Sequence, residues 1–277
     1  MSVINEDFEL SNGVMIPKVG FGTWKIPPDV APQAVQTALH AGYRHVDTAR
    51  AYRNEEGVGL GIKASGVPRD YVFVTTKIPS ALKTYEEIGP CIDESLRLLG
   101  LAYIDLLLIH APKPYPPQPG DDRKTYFEEN AAVWQAMEEA YDDGKLRAIG
   151  VSNFGIVDID NLLDTCAIKP MVNQIEFHVG FTEDELTGYC QLHDILVEAY
   201  SPLAIGALVD NPDIAAVAAR VGVTVPQLCI RYCLQLGTLP LPRSVNPDHI
   251  AANKRLDFEI SDDDMAALDA ISVQPAG

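Results

Sequence analysis

Two residues capable of proton chemistry stand one loop apart in Gly42-Tyr43-Arg44-His45-Val46-Asp47-Thr48-Ala49-Arg50-Ala51-Tyr52. Asp47 closes a short apolar run, where a carboxylate can hold a cation. Tyr52 follows a tight turn and carries a hydroxyl that can give or accept a proton. Arg53-Asn54-Glu55-Glu56-Gly57 then reads as the start of a helix. Strand ends that feed into helices are where parallel α/β folds place their chemistry. On its own the pair proves little, because turn-capping aspartates and packing tyrosines greatly outnumber catalytic ones.

The elements that must position such a pair follow from pattern. Residues 8–17 read as a hairpin with Asn12-Gly13 as a type I′ turn, and residues 18–24 as a short strand ending in glycines. Nearly continuous apolar runs follow at 71–76, 104–110, 146–151, 171–177, 195–200 and 239–242, as expected for strands covered on both faces. Thr84-x-x-Glu87, Thr125-x-x-Glu128, Thr182-x-x-Glu185 and Thr224-x-x-Gln227 fit the capping box that opens a helix. Ile88, Ile92, Leu96 and Leu99 share one helix face, as do Phe127, Trp134, Met137 and Tyr141; both faces read as core. About eight βα units in 277 residues predict an α/β fold, a (β/α)8 TIM barrel with an N-terminal β-hairpin. No composition break divides the chain, so 1–277 is expected to be a single barrel domain. Residues 111–120, with five prolines, cannot be helix or central strand. They follow a barrel strand on the face where substrate loops sit, and read either as a spacer or as a substrate rim. Gly57-Val58-Gly59-Leu60-Gly61 lacks the position and spacing of a dinucleotide-binding turn and reads as a permissive patch on a helix.

In a barrel, the strand ends converge on one mouth. Here they present Thr23-Trp24, Asp47 with Tyr52, Lys77, His110, Ser152-Asn153, Gln174, Tyr200 and Arg243-Ser244. A whole ring of polar and aromatic residues behind apolar runs is hard to explain as structure. The segments Val46-Asp47-Thr48-Ala49-x-x-Tyr52, Thr75-Thr76-Lys77, Leu107-Leu108-Ile109-His110, Gly150-Val151-Ser152-Asn153-Phe154, Val172-Asn173-Gln174-Ile175-Glu176 and Ala199-Tyr200-Ser201-Pro202-Leu203 resemble the signature segments of the aldo-keto reductase superfamily. The likeness runs from Ile16 to about Ile271, in family order.

That resemblance implies NADPH-dependent reduction of aldehydes and ketones, with Asp47, Tyr52, Lys77 and His110 as the catalytic residues. Tyr52 would donate the proton. A free tyrosine is a weak acid, with a pKa of about 10, and Lys77 is expected to lower it. Asp47 would hold Lys77, and His110 would hydrogen-bond the substrate carbonyl. The resemblance further implies a nicotinamide site made by Gly22, Thr23, Trp24, Ser152, Asn153, Gln174 and Tyr200, with Ser201, Pro202 and Leu203 passing the pyrophosphate. NADPH-preferring relatives carry Lys-Ser, then Arg, then Glu-Asn near the adenosine. This chain has Arg243-Ser244-Val245, His249 and Ala252-Asn253. Arg243 can still grip a 2′-phosphate with its planar fork, whereas His249 is a weaker, pH-dependent substitute. NADPH is therefore the expected cofactor, with NADH as a secondary one. Trp24, Ile78 and Ala111 are expected to line the substrate mouth. Ile78 and Ala111 stand where relatives often carry bulkier residues, which implies a wide mouth and broad specificity, including bulky ketones or keto esters. The alternatives are a non-catalytic nicotinamide-binding module that senses redox state, and an unrelated barrel enzyme using Lys77 as a Schiff base.

Composition narrows the partners. A formal net charge of -18 repels phosphate backbones, so no nucleic-acid partner is expected, only a small carbonyl substrate. No apolar run reaches the roughly 18 residues that span a bilayer, and residues 1–7 do not read as a signal peptide. A cytoplasmic monomer is the expected setting. Five cysteines, none in a Cys-x-x-Cys pair, read as reduced thiols, with Cys229 and Cys233 as helix core and no metal site.

Overall fold

The computed structural model describes residues 2–117 and 124–273; Gln118, Pro119 and Gly120 of the proline-rich loop lie outside them. Eight parallel strands follow one another around the sheet in chain order: β3 (Gly20–Gly22), β4 (His45–Asp47), β5 (Phe73–Ile78), β6 (Leu106–Ile109), β7 (Ile149–Ser152), β8 (Val172–Glu176), β9 (Leu196–Tyr200) and β10 (Leu239–Leu241). The Gly22 N–H donates to the Pro242 carbonyl at 3.0 Å, drawing the last strand against the first. Every expected strand is present, with shifted ends. The run at 71–76 becomes Phe73–Ile78 because Arg69–Tyr71 coils into a 3-10 turn.

β1 (Asp7–Glu9) and β2 (Met15–Pro17) form the antiparallel N-terminal hairpin, Phe8 opposite Ile16. Its turn is not type I′, which needs positive φ at both central residues. Only Gly13 has it, at 83°. The Leu10 carbonyl accepts from the Gly13 N–H at 2.8 Å, and the Val14 carbonyl accepts from the Leu10 N–H at 2.9 Å. Asn12 instead turns its amide onto the barrel floor, donating to the Arg147 carbonyl at 2.9 Å.

Helices α1 (Ala31–Ala41), α2 (Glu55–Ser65), α3 (Tyr85–Leu99), α4 (Phe127–Asp142), α5 (Ile156–Thr165) and α6 (Asp184–Leu192) surround the sheet. Two helices, α7 (Pro212–Val221) and α8 (Val225–Gln235), separate β9 from β10, and α9 (Pro247–Asn253) and α10 (Asp262–Asp269) follow. Two of the four capping boxes form. Glu87 accepts from the Thr84 N–H at 3.2 Å, and Gln227 from the Thr224 N–H at 3.0 Å. The other two do not, because a left-handed residue sits at each boundary: Tyr126 (φ 60°) before α4 and Glu183 (φ 46°) before α6. Thr125 is thereby pushed out of cap position, and Thr182 donates to Asp184 at 2.6 Å instead.

The glycine patch on α2 is a packing surface rather than merely a permissive stretch. A Cβ on Gly59 would lie 2.2 Å from the Leu99 carbonyl oxygen, and one on Gly57 2.6 Å from that of Pro28. α2 thus lies against both α1 and the end of α3, which fixes the loop carrying Tyr52. Trp134 and Met137 are buried in the core, as are Cys190, Cys229 and Cys233. Among the described residues, no single helix is long and apolar enough to cross a membrane.

Candidate active site

Strand periodicity assembles the centre of the site. β4 and β5 are neighbours with Asp47 opposite Thr75, and Lys77, two residues further along, points to the same side. Lys77 is 1% exposed. Its Nζ donates to Asp47 Oδ2 at 2.6 Å, Asp47 Oδ1 at 2.8 Å and the Thr48 carbonyl at 2.9 Å, and stands 3.5 Å from the Tyr52 hydroxyl. Burial alone would push this ammonium's pKa down. The net direction is nevertheless upward, and Asp47, by its charge and its hydrogen bonds, is the foremost cause that raises it. A saturated, firmly protonated amine is no Schiff-base nucleophile, which removes the support for that alternative.

Tyr52 ends the 3-10 turn Arg50–Tyr52, with its ring edge-on to His110 at 5.6 Å between centroids. Burial raises its pKa, Lys77 pulls against that and Asp47 adds to it; the net direction is upward. This reverses the lowering expected from Lys77 alone, because the phenolate loses more hydration than the ammonium returns. The hydroxyl therefore stays protonated at neutral pH. His110 is pushed down to about 3, by burial first and by Lys77 second. It is a neutral imidazole with one N–H to donate.

The later strand ends build a platform. Asn153, in the left-handed region (φ 60°), donates to the His110 carbonyl at 2.9 Å and to Ser152 Oγ at 3.0 Å. Its Oδ1 accepts from the Tyr200 hydroxyl at 2.8 Å, which sets the aromatic face. Ser152 Oγ donates to the Gln174 carbonyl at 2.8 Å. The Gln174 amide donates to Asp47 Oδ2 at 2.9 Å and to Glu198 Oε2 at 2.6 Å, leaving its own Oε1 as an acceptor. An aromatic face flanked by amide and hydroxyl groups suits a planar ring bearing a carboxamide, so these residues fit a nicotinamide. Ser201 (φ 51°) turns the chain away from Tyr200 into Pro202 and Leu203.

At the first strand end, Thr23 Oγ1 donates to the Asp47 carbonyl at 2.9 Å, and a Cβ on Gly22 would come within 3.2 Å of the Leu241 carbonyl. Trp24 is 39% exposed, with the Lys25 ammonium 4.0 Å from its ring centre. Arg243, Ser244, Val245 and His249 lie at or near the surface beyond β10, and Asn253 is buried at the end of α9. The Arg243 guanidinium donates to the carbonyls of Trp24 at 3.2 Å and Lys25 at 3.0 Å. It joins the two ends of the barrel seam, a contact its sequence position does not reveal.

Of the substrate-lining candidates, Ile78 is misplaced. It is 0% exposed and packs in the core, because alternation turns it away from the face that Lys77 occupies. Ala111 is partly exposed, and its carbonyl accepts from Lys83 Nζ at 3.1 Å. Lys83 also donates to Asn130 Oδ1 at 2.6 Å, whose amide reaches the Pro112 carbonyl at 3.0 Å. The start of the proline-rich loop is thus clamped beside His110. Sequence reasoning missed Lys83, Asn130 and Asn54, the last of which is buried and donates to the Thr23 and Ile26 carbonyls at 2.9 and 3.0 Å. It also missed Glu198, although a lone carboxylate inside the apolar run Leu196–Tyr200 was a readable signal. Among the described residues, no group of three or more His, Cys, Asp or Glu side chains could hold a metal ion.

The family model for the Aldo/keto reductase family matches residues 18–273. The chain is 41% identical to glyoxal reductase of Bacillus subtilis (strain 168), over 97% of this chain and 94% of that protein. The crystal structure of an aldo/keto reductase from Brucella melitensis superposes with a TM-score of 0.88 at 37% identity, covering 95% of this chain and 98% of the other. That of a Bombyx mori aldo-keto reductase in complex with NADP gives 0.86 at 37% identity, with 95% and 91% covered. With fold, strand-end residues and matched length in agreement, the chain belongs to the aldo/keto reductase family and is a nicotinamide-dependent oxidoreductase.

Proposed function

We propose that this protein reduces aldehydes and ketones to alcohols with NADPH, and that Tyr52 gives the proton. The observation that carries the reading is the contact chain running from the buried Asp47–Lys77 pair to the partly exposed Tyr52, beside a neutral His110. When bound, the reduced nicotinamide supplies the hydride. Tyr200 offers the ring a face, and Ser152, Asn153 and Gln174 meet its carboxamide. The neutral His110 N–H orients the substrate carbonyl toward Tyr52. As negative charge grows on the carbonyl oxygen, the Tyr52 hydroxyl transfers its proton there. The Lys77 ammonium, held by Asp47, offsets the charge left on the phenol oxygen. A redox-sensing module would have no use for this proton-delivery geometry, and its name as an alternative rests only on the versatility of the fold.

Broad specificity, extending to bulky ketones and keto esters, rests on Ala111 at the rim; Ile78 lends it no support. We read the protein as a cytoplasmic monomer. Oxidation of NADPH with a panel of aldehydes, ketones and keto esters tests the reading, followed by absorbance of the reduced nicotinamide. Turnover of several classes is expected, and turnover of none would contradict it. Arg243→Ala separates the cofactor question: NADPH affinity should fall about tenfold or more with NADH little changed, since a charge-assisted pair contributes roughly 1.5–3 kcal/mol. Unchanged NADPH affinity would mean Arg243 serves only as the tie to Trp24 and Lys25.

A further inference from the structure

Beneath the Asp47–Lys77 pair lies a second carboxyl that the reaction outlined above does not use. Glu198 sits mid-strand in β9, register partner of Gln174 in β8, and is 0% exposed. Its Oε2 accepts one Gln174 N–H at 2.6 Å while Asp47 Oδ2 accepts the other at 2.9 Å. Its Oε1 has no hydrogen-bond partner among the described residues. The His45 Nε2, 3.8 Å away, is too distant and is engaged with Thr75 Oγ1 at 2.9 Å. Both Gln174 donors are therefore committed to carboxyl oxygens. A flipped amide would set its carbonyl oxygen against the Asp47 carboxylate and withdraw the donor that Glu198 Oε2 accepts, so the orientation is fixed, and Oε1 is the one polar atom of that side chain left for a ligand.

We propose that Glu198 is a positioning residue: it locks the Gln174 amide so that Oε1 is presented as an acceptor to the nicotinamide carboxamide, and ties that contact to Asp47. The inference rests on the reading that Gln174 faces the cofactor. The surroundings suit a neutral acid. Burial, then Asp47, push the Glu198 carboxyl up to about 8, against the pull of Gln174 and Lys77. The titratable groups facing it are His45, pushed down to about 3 by burial and so held neutral, Asp47, and the ammonium of Lys77. A second anion beside Asp47 is thus avoided at neutral pH. Gly20 makes room for this layer, since a Cβ there would lie 2.7 Å from His45 Nδ1.

Two variants test it. Glu198→Gln keeps a carbonyl acceptor for Gln174, whereas Glu198→Leu removes it at similar volume. Glu198→Leu is expected to weaken NADPH binding about tenfold in a fluorescence titration, one hydrogen bond's worth, and to lower kcat. Glu198→Gln should restore both to within about twofold of the wild type. A third readout needs no cofactor. A carboxyl whose folded pKa is raised contributes stability that is present below its unfolded value and lost as pH rises toward the folded one. The Tm of Glu198→Gln should therefore gain on the wild type between about pH 5 and about pH 8. The proposal is overturned if Glu198→Leu binds NADPH and turns over like the wild type, or if Glu198→Gln is as impaired as Glu198→Leu. It is equally overturned if the Tm difference is flat with pH. A wild type that neither binds nor oxidises NADPH would instead sink the reductase reading, while the pH-dependent Tm difference would still report the buried neutral acid.

Discussion

At the scale of single residues, Lys77 sets the electrostatics of the site. It is enclosed by Asp47, Thr48 and Tyr52, and its raised pKa keeps it cationic. Removing one partner of such a buried pair leaves the other charge uncompensated, at a cost of about 3–5 kcal/mol. Lys77→Met should therefore lose stability by that order in urea unfolding as well as activity. Adding Asp47→Asn should recover part of the stability but none of the turnover. Additive losses in the double variant would show that the two groups are not coupled. Because the folded pKa of Lys77 is raised, its contribution is fully present below the ordinary value of 10.5 and disappears only as pH climbs through the folded value. Residues of this kind were legible because they end apolar runs. Glu198 lies inside such a run rather than at its end, so only its charge among apolar neighbours marked it, and Ile78 was misread because alternation along β5 turns it the other way.

At the scale of elements, the loop carrying Tyr52 depends on how closely α2 can approach its neighbours. Gly59→Ala illustrates the balance. Alanine in a helix gains about 1 kcal/mol over glycine, but the new Cβ would stand 2.2 Å from the Leu99 carbonyl oxygen, a backbone atom that cannot step aside alone. Overpacking typically costs about 1–3 kcal/mol, and a contact this short falls at the upper end, so a net loss of about 1–2 kcal/mol is expected. A stabilised Gly59→Ala protein, judged by chemical unfolding, would contradict this packing. The contact joins residues forty positions apart, as the numbers 59 and 99 show, and no local pattern announces it. The failed capping boxes at Thr125 and Thr182 have a related cause: a left-handed residue at the boundary resets the start of the helix, and the loop before it decides that.

For the whole molecule, the barrel was legible because eight apolar runs, separated by helix-length amphipathic segments, admit few other arrangements. The converging strand ends then place Asp47, Tyr52, Lys77 and His110 in one cluster, Asp47 and Lys77 buried and Tyr52 and His110 partly exposed, with Tyr200 and Asn153 on the adjoining rim. What the sequence did not disclose is the cross-barrel bonding: Gln174 bridging Asp47 and Glu198, and Arg243 tying the last strand to Trp24. Those contacts depend on closure, which no single segment encodes. The central claim is that Tyr52 delivers the proton. The most direct measurement compares wild type and Tyr52→Phe in NADPH-dependent carbonyl reduction, with cofactor affinity measured in parallel. The account predicts a fall in kcat of about 10²-fold or more, the usual worth of a positioned proton donor, with NADPH affinity nearly unchanged. Equal turnover by the two proteins would contradict it.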